Sequence, residues 1–352
     1  MEIDVLIIGQ GICGSFLSWY LQQEGKSYLV IDNNDPAASS RIAAGIINPV
    51  TGRRLVTVWM ADEVIPNAWK AYQEIGHALD VEVIYQRSII DFFPNPFMRE
   101  GFLQKIESGD QYTHAYPEQN HFNHFFNYEL GCGEIRPVYT VNLEKLLPAW
   151  RKELQNKQCL LEEEFNINDL QTKEDYIIYH DIKARNIIFC DGISSFENPF
   201  FRQLPFAPNK GEALVVNIPG LPAHHIYKKS MMIVPMAEPD MFWVGASYIW
   251  DFKDAAPTKE FREKTEQVLK EWVKQPFTIT EHRSGLRPAT LERRPFVGLH
   301  PIYRPVGILN GMGTKGYSLA PFFAKQLVRH LCFGENIIPE ADLLRFKKIL
   351  SR

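Results

Sequence analysis

The sequence predicts an α/β fold that opens on a Rossmann-type dinucleotide-binding unit and carries a second domain inserted after it. Three observations point there. Ile3-Asp4-Val5-Leu6-Ile7-Ile8 is a short β-branched and apolar run, followed at once by Gly9-Gln10-Gly11-Ile12-Cys13-Gly14 and then by a helical stretch from Ser15. That is strand, glycine turn and helix in the order a dinucleotide site needs. A second strand, Ser27 to Ile31, ends on Asp32, 18 residues after Gly14 and near the ~20-residue offset of a ribose-binding carboxylate. Residues 81 to 140 then change character.

Each glycine has its own task in such a turn. Gly9 permits the tight bend, Gly11 leaves room for a pyrophosphate against the backbone, and Gly14 lets helix and strand pack closely. The free N–H groups and positive dipole end of the helix would face the phosphates. The alternative, a glycine turn in an ordinary α/β unit with Asp32 merely opening an Asp32-Asn33-Asn34-Asp35-Pro36 turn, is outweighed because strand, glycines, helix and acid all line up.

Composition narrows the class. With 352 residues the chain is long enough for two domains or one interleaved pair. Its 45% apolar and 23% charged residues are those of a soluble globular protein. The net charge of −4 disfavours a general nucleic-acid surface, so no nucleic-acid partner is expected. Cys13, Cys132, Cys159, Cys190 and Cys332 form no CxxC pair and no disulfide spacing, which suits free thiols in a reducing compartment. The amino terminus enters a strand with Glu2 and Asp4 where a signal peptide would be basic, and no apolar run reaches spanning length. A cytoplasmic protein with no membrane span is the expectation.

Along the chain, Ser39 to Pro49 has small residues and one arginine, Arg41, as a loop beside a cofactor would. A turn with the pair Arg53-Arg54 follows. Met60 to Leu79 has helical pattern, with Pro66 near a start or a break. Val81–Tyr85 and Ser88–Phe93 read as strands, ending in a Pro94-Asn95-Pro96 loop. Tyr112 to Tyr128 reads as strand and loop. Its His114, His121 and His124, with Glu118 between, match no common zinc spacing, and no metal site is predicted.

Val141 to Leu154 is helical with Asn142 as a cap, though Pro148 argues against one continuous helix. Glu162-Glu163-Glu164 reads as a solvated patch. Tyr176–Tyr179 and Ala184–Cys190 are strands, the second ending in Asp191-Gly192, where an α/β sheet meets its ligand. Lys210–Val216 returns to strand. Met231–Pro235 and Met241–Ser247 form a hairpin around Glu238-Pro239-Asp240, and Lys259 to Val273 is a charged amphipathic helix.

Two late motifs carry chemistry. In Ser284-Gly285-Leu286-Arg287-Pro288, the arginine precedes a proline and so avoids helical geometry. On a strand end it could grip a carboxylate through two parallel hydrogen bonds, or simply pair with an acid of the chain. Gly307 to Pro321 is another strand, a glycine loop Gly311-Met312-Gly313-Thr314-Lys315-Gly316, and another helix. A reduced flavin carries negative charge near N1, which loop N–H groups and a helix dipole would stabilise.

These pieces, taken in order, resemble the D-amino-acid oxidase, glycine oxidase and sarcosine oxidase family of FAD enzymes. The resemblance implies a Rossmann-type FAD-binding domain, residues 1–80, 141–210 and 280–352, interleaved with an α+β substrate domain, 81–140 and 211–279, built on a mixed antiparallel sheet. It implies that Gly9, Gly11, Ile12, Cys13, Gly14, Asp32, Asn33, Arg41, Ala43, Ala44, Gly45, Asp191, Gly192, Gly313, Thr314, Lys315, Gly316 and Tyr317 hold FAD. It implies oxidation of the C–N bond of a small amine or amino acid by hydride transfer to flavin N5, with oxygen as the usual electron acceptor. Arg287 lies where the family places its substrate-carboxylate arginine, and Lys315 where glycine oxidases tend to carry a second one. Tyr248 and Trp250 would wall the pocket. Residues 288–312 hold no cysteine where sarcosine oxidases attach flavin, so FAD is expected to be non-covalent.

Other functions fit parts of the pattern. Gly245-Ala246-Ser247-Tyr248 and the Arg41 loop also resemble the flavin domain of an enzyme acting on a carboxymethylamino-modified tRNA uridine, against which the acidic balance weighs. A non-catalytic, FAD-stabilised binding protein and an NAD-dependent dehydrogenase are further readings. Substrate, acceptor, oligomeric state and the partner of Lys315 stay open.

Overall fold

The computed structural model describes residues 1–52 and 54–351, so Arg53 of the Arg53-Arg54 pair lies outside the described residues. The strand Glu2–Ile8 is central because its apolar run has no polar face to expose: Leu6 and Ile7 are fully buried. It runs parallel between Tyr28–Ile31 on one side and Ile182–Phe189 on the other. Val306–Asn310 continues the parallel set beyond Ile182–Phe189, and Leu160–Leu161 beyond Tyr28–Ile31. Two short antiparallel strands, Leu170–Thr172 and Ile177–Tyr179, finish one edge, and Phe296–Leu299 pairs antiparallel with Val306–Asn310.

The registers Ile8↔Ile31, Ile8↔Phe189 and Phe189↔Ile308 bring the carboxyl ends of four strands level. The Gly9 loop, Asp32, Asp191 and Gly311 therefore emerge at one edge of the sheet, where open α/β sheets bind ligands. The helices Ile12–Gln23, Ala61–Ala78 and Gly316–Phe333 pack together on one face of the sheet. Phe16 meets Tyr72 edge-on at 5.0 Å, and Trp59 stacks on Phe323 at 5.7 Å.

The second sheet is mixed and mostly antiparallel. Its order is Thr278–Arg287, Asn209–Asn217, Met241–Gly245, Met232–Pro235, Ile226–Lys228, Ile84–Phe92, Cys132–Val141, Ile46–Ile47. Only Ile226–Lys228 beside Ile84–Phe92 is parallel. One face shares the large core with the first sheet. The other carries the helix Lys259–Trp272 and an aromatic nest around Phe92, whose ring lies 5.1 Å from Phe126 and 5.7 Å from Trp272.

Several local expectations change. Pro66 lies near the start of its helix, one of the two places expected, and the helix Ala61–Ala78 runs on through it; Pro148, against expectation, lies inside a continuous helix Leu143–Asn156. Each proline is the sixth residue of its helix, near enough the amino end that few intrahelical bonds precede it, and the buried apolar face holds the rest. The Pro94-Asn95-Pro96 stretch is a helix start as well as a loop. Asn95 accepts a hydrogen bond from Met98 N at 3.0 Å, Pro96 takes the first turn, and the helix continues to Glu107. The Ser39 loop contains one helical turn, Ser39–Ile42, and His121–His124 forms a 3₁₀ turn.

Gly9 and Gly14 fix the opening turn sterically. Gly9 has φ of 98°, and a Cβ there would lie 2.7 Å from the Cys190 carbonyl oxygen. A Cβ on Gly14 would lie 1.9 Å from the carbonyl oxygen of Gly9, backbone against backbone. Gly14→Ala is therefore expected to lower stability by about 3 kcal/mol or more, or to abolish soluble expression. Gly101→Ala, in a helix with open space around it, is expected to add roughly 0.5–1 kcal/mol. Urea unfolding of both variants checks the contrast.

Candidate active site

The first glycine loop presents unpaired backbone donors. Ile12 N donates to Ser40 Oγ at 3.2 Å, but among the described residues no acceptor meets the N–H groups of Cys13 or Gly14. A Cβ on Gly11 would come 3.2 Å from Ser40 Oγ, so glycine keeps this face clear. Free N–H groups at the start of a 12-residue helix, with a bare backbone beside them, are the donor set that a diphosphate requires.

Asp32 is held by a network that local sequence does not announce. Its carboxylate accepts from Gln10 N at 2.7 Å, Asn34 N at 2.9 Å and Arg151 Nη1 at 2.6 Å. Arg151 is buried, and also donates to the Asp32 carbonyl, to Gln10 Oε1 and to Glu162 Oε2, each at 3.1 Å. Glu162 is thus an ion-pair partner of Arg151 rather than part of a purely solvated patch. Three bonds leave about one lone-pair direction of the four on Asp32 for an incoming hydroxyl. The neighbouring Asn33 is exposed.

The segment from Ser40 to Asn48 is clamped from both sides. Arg41 donates to Asn34 Oδ1 at 2.6 Å. The Ile42 carbonyl accepts from Trp243 Nε1 at 3.0 Å, and the Ala43 carbonyl from Tyr317 OH at 3.0 Å. Gly45 backs onto the Val141 carbonyl, leaving Ala43 and Ala44 as the only side chains between the two clamps and the turn. Asn48 then accepts from Lys315 Nζ at 2.7 Å and donates to the Val50 carbonyl at 2.6 Å.

At the other strand ends, Asp191 accepts from Ser195 Oγ, and Asn310 Nδ2 donates to Ser195 Oγ and to the Gly192 carbonyl, both at 2.8 Å. Burial pushes the Asp191 carboxyl up to about 6. The last loop lies against the first. Gly316 opens its helix with Ile12 Cγ2 3.8 Å from where a Cβ would stand, and Gly313 N donates to the Pro288 carbonyl at 3.1 Å. Thr314 is exposed.

That last bond ties Lys315's loop to the end of Arg287's strand. Arg287 lies flat over Gly211: a Cβ there would meet Nη2 at 2.0 Å. Nη1 donates to Asn209 Oδ1 at 2.7 Å and to the Ser247 carbonyl at 3.1 Å, and the Tyr248 ring covers the guanidinium at 4.6 Å. Among the described residues no carboxylate pairs with Arg287, so the structural ion pair that the sequence also allowed is not formed. Burial lowers its affinity for its proton, and drives the Lys315 ammonium down to about 8.

The structure thus joins Arg287, Tyr248 and the Lys315 loop, and joins the first glycine loop to Ser40 and Asp32. Tyr248 and Trp250 are exposed to the same degree, 60% and 61%, and of the two the Tyr248 ring lies over Arg287. His121 pairs with Glu118 at 3.1 Å, and no metal-holding group of three His, Cys, Asp or Glu residues occurs among the described residues. Gln10, Asn48, Arg151, Asn209 and Trp243 escaped the sequence reading. Each makes at least one side-chain hydrogen bond to a partner far along the chain.

A family model described as FAD dependent oxidoreductase matches residues 4–330. Among solved structures, iminodiacetate oxidase from Chelativorans sp. BNC1 is 19% identical, with a TM-score of 0.75 over 96% of this chain and 97% of that one. Glycine oxidase from Geobacillus kaustophilus is 16% identical, with a TM-score of 0.78 over 96% of each chain. L-proline dehydrogenase from P. horikoshii is 14% identical, with a TM-score of 0.74 over 99% of this chain and 98% of that one. At these identities the likeness is one of fold. No helix among the described residues is long and apolar enough to cross a membrane.

Asp191 sets a pH dependence. Its carboxyl holds a proton in the fold up to about pH 6 but in the unfolded chain only to 3.8. The folded state therefore binds more protons between those values, and stability contributed by this group falls as pH rises through them. Asp191→Asn should remove that slope, on the order of 2 kcal/mol between pH 4 and 7. Denaturant melts at several pH values check it.

Proposed function

We infer an activity from the premise that this chain belongs to the FAD-dependent oxidoreductase family: it oxidises the C–N bond of a small amine or amino acid that bears a carboxylate. One observation carries the carboxylate. Arg287 is a half-buried guanidinium whose protein contacts are neutral acceptors and an aromatic ring, with no acid among the described residues to balance it. A charge placed so is compensated best by a ligand anion. That known structures of this fold include an iminodiacetate oxidase and a glycine oxidase supports the reading.

The residues divide the work. The first glycine loop would hold the diphosphate of FAD, with Asp32 at the ribose and the Ala43–Gly45 segment and the Gly313–Tyr317 turn against the ring. Bound FAD would supply the acceptor for the hydride leaving the substrate's α-carbon. Arg287 and Lys315 would fix the carboxylate, orienting that carbon, and Tyr248 would hold the guanidinium in place by its ring. Positioning suffices if the amine arrives neutral. Non-covalent FAD is supported by the absence of cysteine from residues 288–312, and by Cys13, whose burial pushes its thiol up to about 12 and leaves little thiolate. Oxygen is the proposed electron acceptor.

Arg287→Met should lower kcat/KM on the true substrate about 100-fold or more while the protein keeps its yellow cofactor. Substrates are found by anaerobic bleaching of the flavin with D- and L-amino acids, N-methyl amino acids and proline analogues. Bleaching by amines lacking a carboxylate, in preference to all of these, would overturn the assignment. Lys315 is charged below about pH 8 and loses its charge above it. The kcat/KM profile should therefore fall above that pH, and Lys315→Met should lack the falling limb. Acid precipitation should release all flavin to the supernatant, and oxygen turnover should yield peroxide.

A further inference from the structure

A second cleft opens on the Ser40–Ala44 segment, on the side of the second sheet. It has a volume of about 180 Å³. Arg87 and Tyr85 come from one strand, Val234 and Trp243 from the hairpin, and Arg283 from the same strand as Arg287. Four of its lining residues are basic, namely Arg41, Arg87, Lys145 and Arg283, against one acid, Glu144.

Three of the four cations are accounted for. Arg41 donates to Asn34, and Arg283 is neutralised by Glu144 at 2.6 Å and Glu281 at 2.7 Å. Lys145 sits in the first turn of its helix, at the exposed rim. Arg87 is different. Among the described residues it makes no ion pair and no hydrogen bond, and its Nε is buried without a partner. A buried guanidinium nitrogen without an acceptor is unfavourable unless something supplies one. Its guanidinium lies over the Tyr85 ring at 5.5 Å, and Trp243 and Val234 line the cleft elsewhere.

We propose that this cleft is a binding site for a small organic carboxylate, with its anionic head on Arg87 and its apolar body against Trp243 and Val234. The site is separate from the one at Arg287. Arg283, on the cleft, and Arg287 are four residues apart on one strand, about 14 Å at the usual rise, beyond the reach of one small substrate. The volume is below the roughly 300 Å³ where drug-sized sites begin, which limits the ligand to a compact acid. Mixed walls with one strong anion anchor favour an aryl or short alkyl carboxylate over inorganic phosphate.

Phenylacetate is the probe, titrated into the FAD-loaded protein by calorimetry and by quenching of tryptophan fluorescence, since Trp243 lines the cleft. Saturable binding is expected below millimolar concentration. Arg87→Met should raise Kd at least tenfold, and Ala237→Trp, which fills the cleft from its exposed rim, should do the same without touching Arg87. Arg287→Met should change Kd less than twofold, and neutral phenylacetamide should not bind. The proposal is overturned by no binding to the wild-type protein at 10 mM, by Kd values unmoved in the Arg87 and Ala237 variants, by equal binding of phenylacetamide, or by loss of binding in Arg287→Met. The last result would place the probe in the substrate site, whereas loss of turnover in Arg287→Met with phenylacetate still bound leaves both assignments standing.

Discussion

Gly9 follows the central strand between two neighbouring strand ends, and the space beside it admits backbone only. The carbonyl of Cys190 closes on Gly9 from one neighbouring strand, and the carbonyl of Gly9 in turn lies where a side chain of Gly14 would begin. This contact sets how close the opening helix comes to the sheet, and so where its free N–H groups point. The helix Gly316–Phe333 packs on that opening helix, and its first residue, Gly316, stands beside Ile12. The two glycine loops, more than 300 residues apart in sequence, are therefore placed by one steric constraint near the amino terminus. Arg287 follows from it at one remove, through the bond from Gly313 to Pro288.

The polar groups around this point are satisfied by distant partners. Arg151 spans Asp32, Gln10 and Glu162, and Asn310 bridges two strand ends through Ser195. Such networks rigidify a site when every member is bonded, and they are unfavourable when one is missing. Arg87, alone of the cations on its cleft in having a buried nitrogen without an acceptor, stands outside this rule.

Much of the fold was legible in the sequence because it rests on local signals. Strand, glycine turn and helix recur twice in plain order, and the hairpin around Glu238-Pro239-Asp240 announces itself by alternation and turn residues. The helix Pro96–Glu107 carried an equally local signal, a capping asparagine before a proline, but the second proline next to it reads as a loop. Pro148 misled in the opposite direction, since local preference yielded to the burial of an apolar helix face. The site was legible where glycines carry it and illegible where lone side chains do. Nothing near Asn48 names Lys315, and nothing near Arg151 names Asp32, because sheet order and register, rather than spacing, bring them together.

Arg287 lies flat only because position 211 has no side chain. Gly211 is on the neighbouring strand, two residues beyond Asn209, the register partner of Arg287, and the guanidinium occupies the volume that an alanine methyl would need. The proposed recognition of an acid by this arginine would therefore be a property of a pair of positions, which the arginine motif alone does not encode. Within this fold, a chain could keep its Gly-Leu-Arg-Pro run unchanged and yet have its guanidinium displaced by one methyl group on the adjacent strand. Specificity inherited in this way can drift silently, at a glycine that touches no ligand.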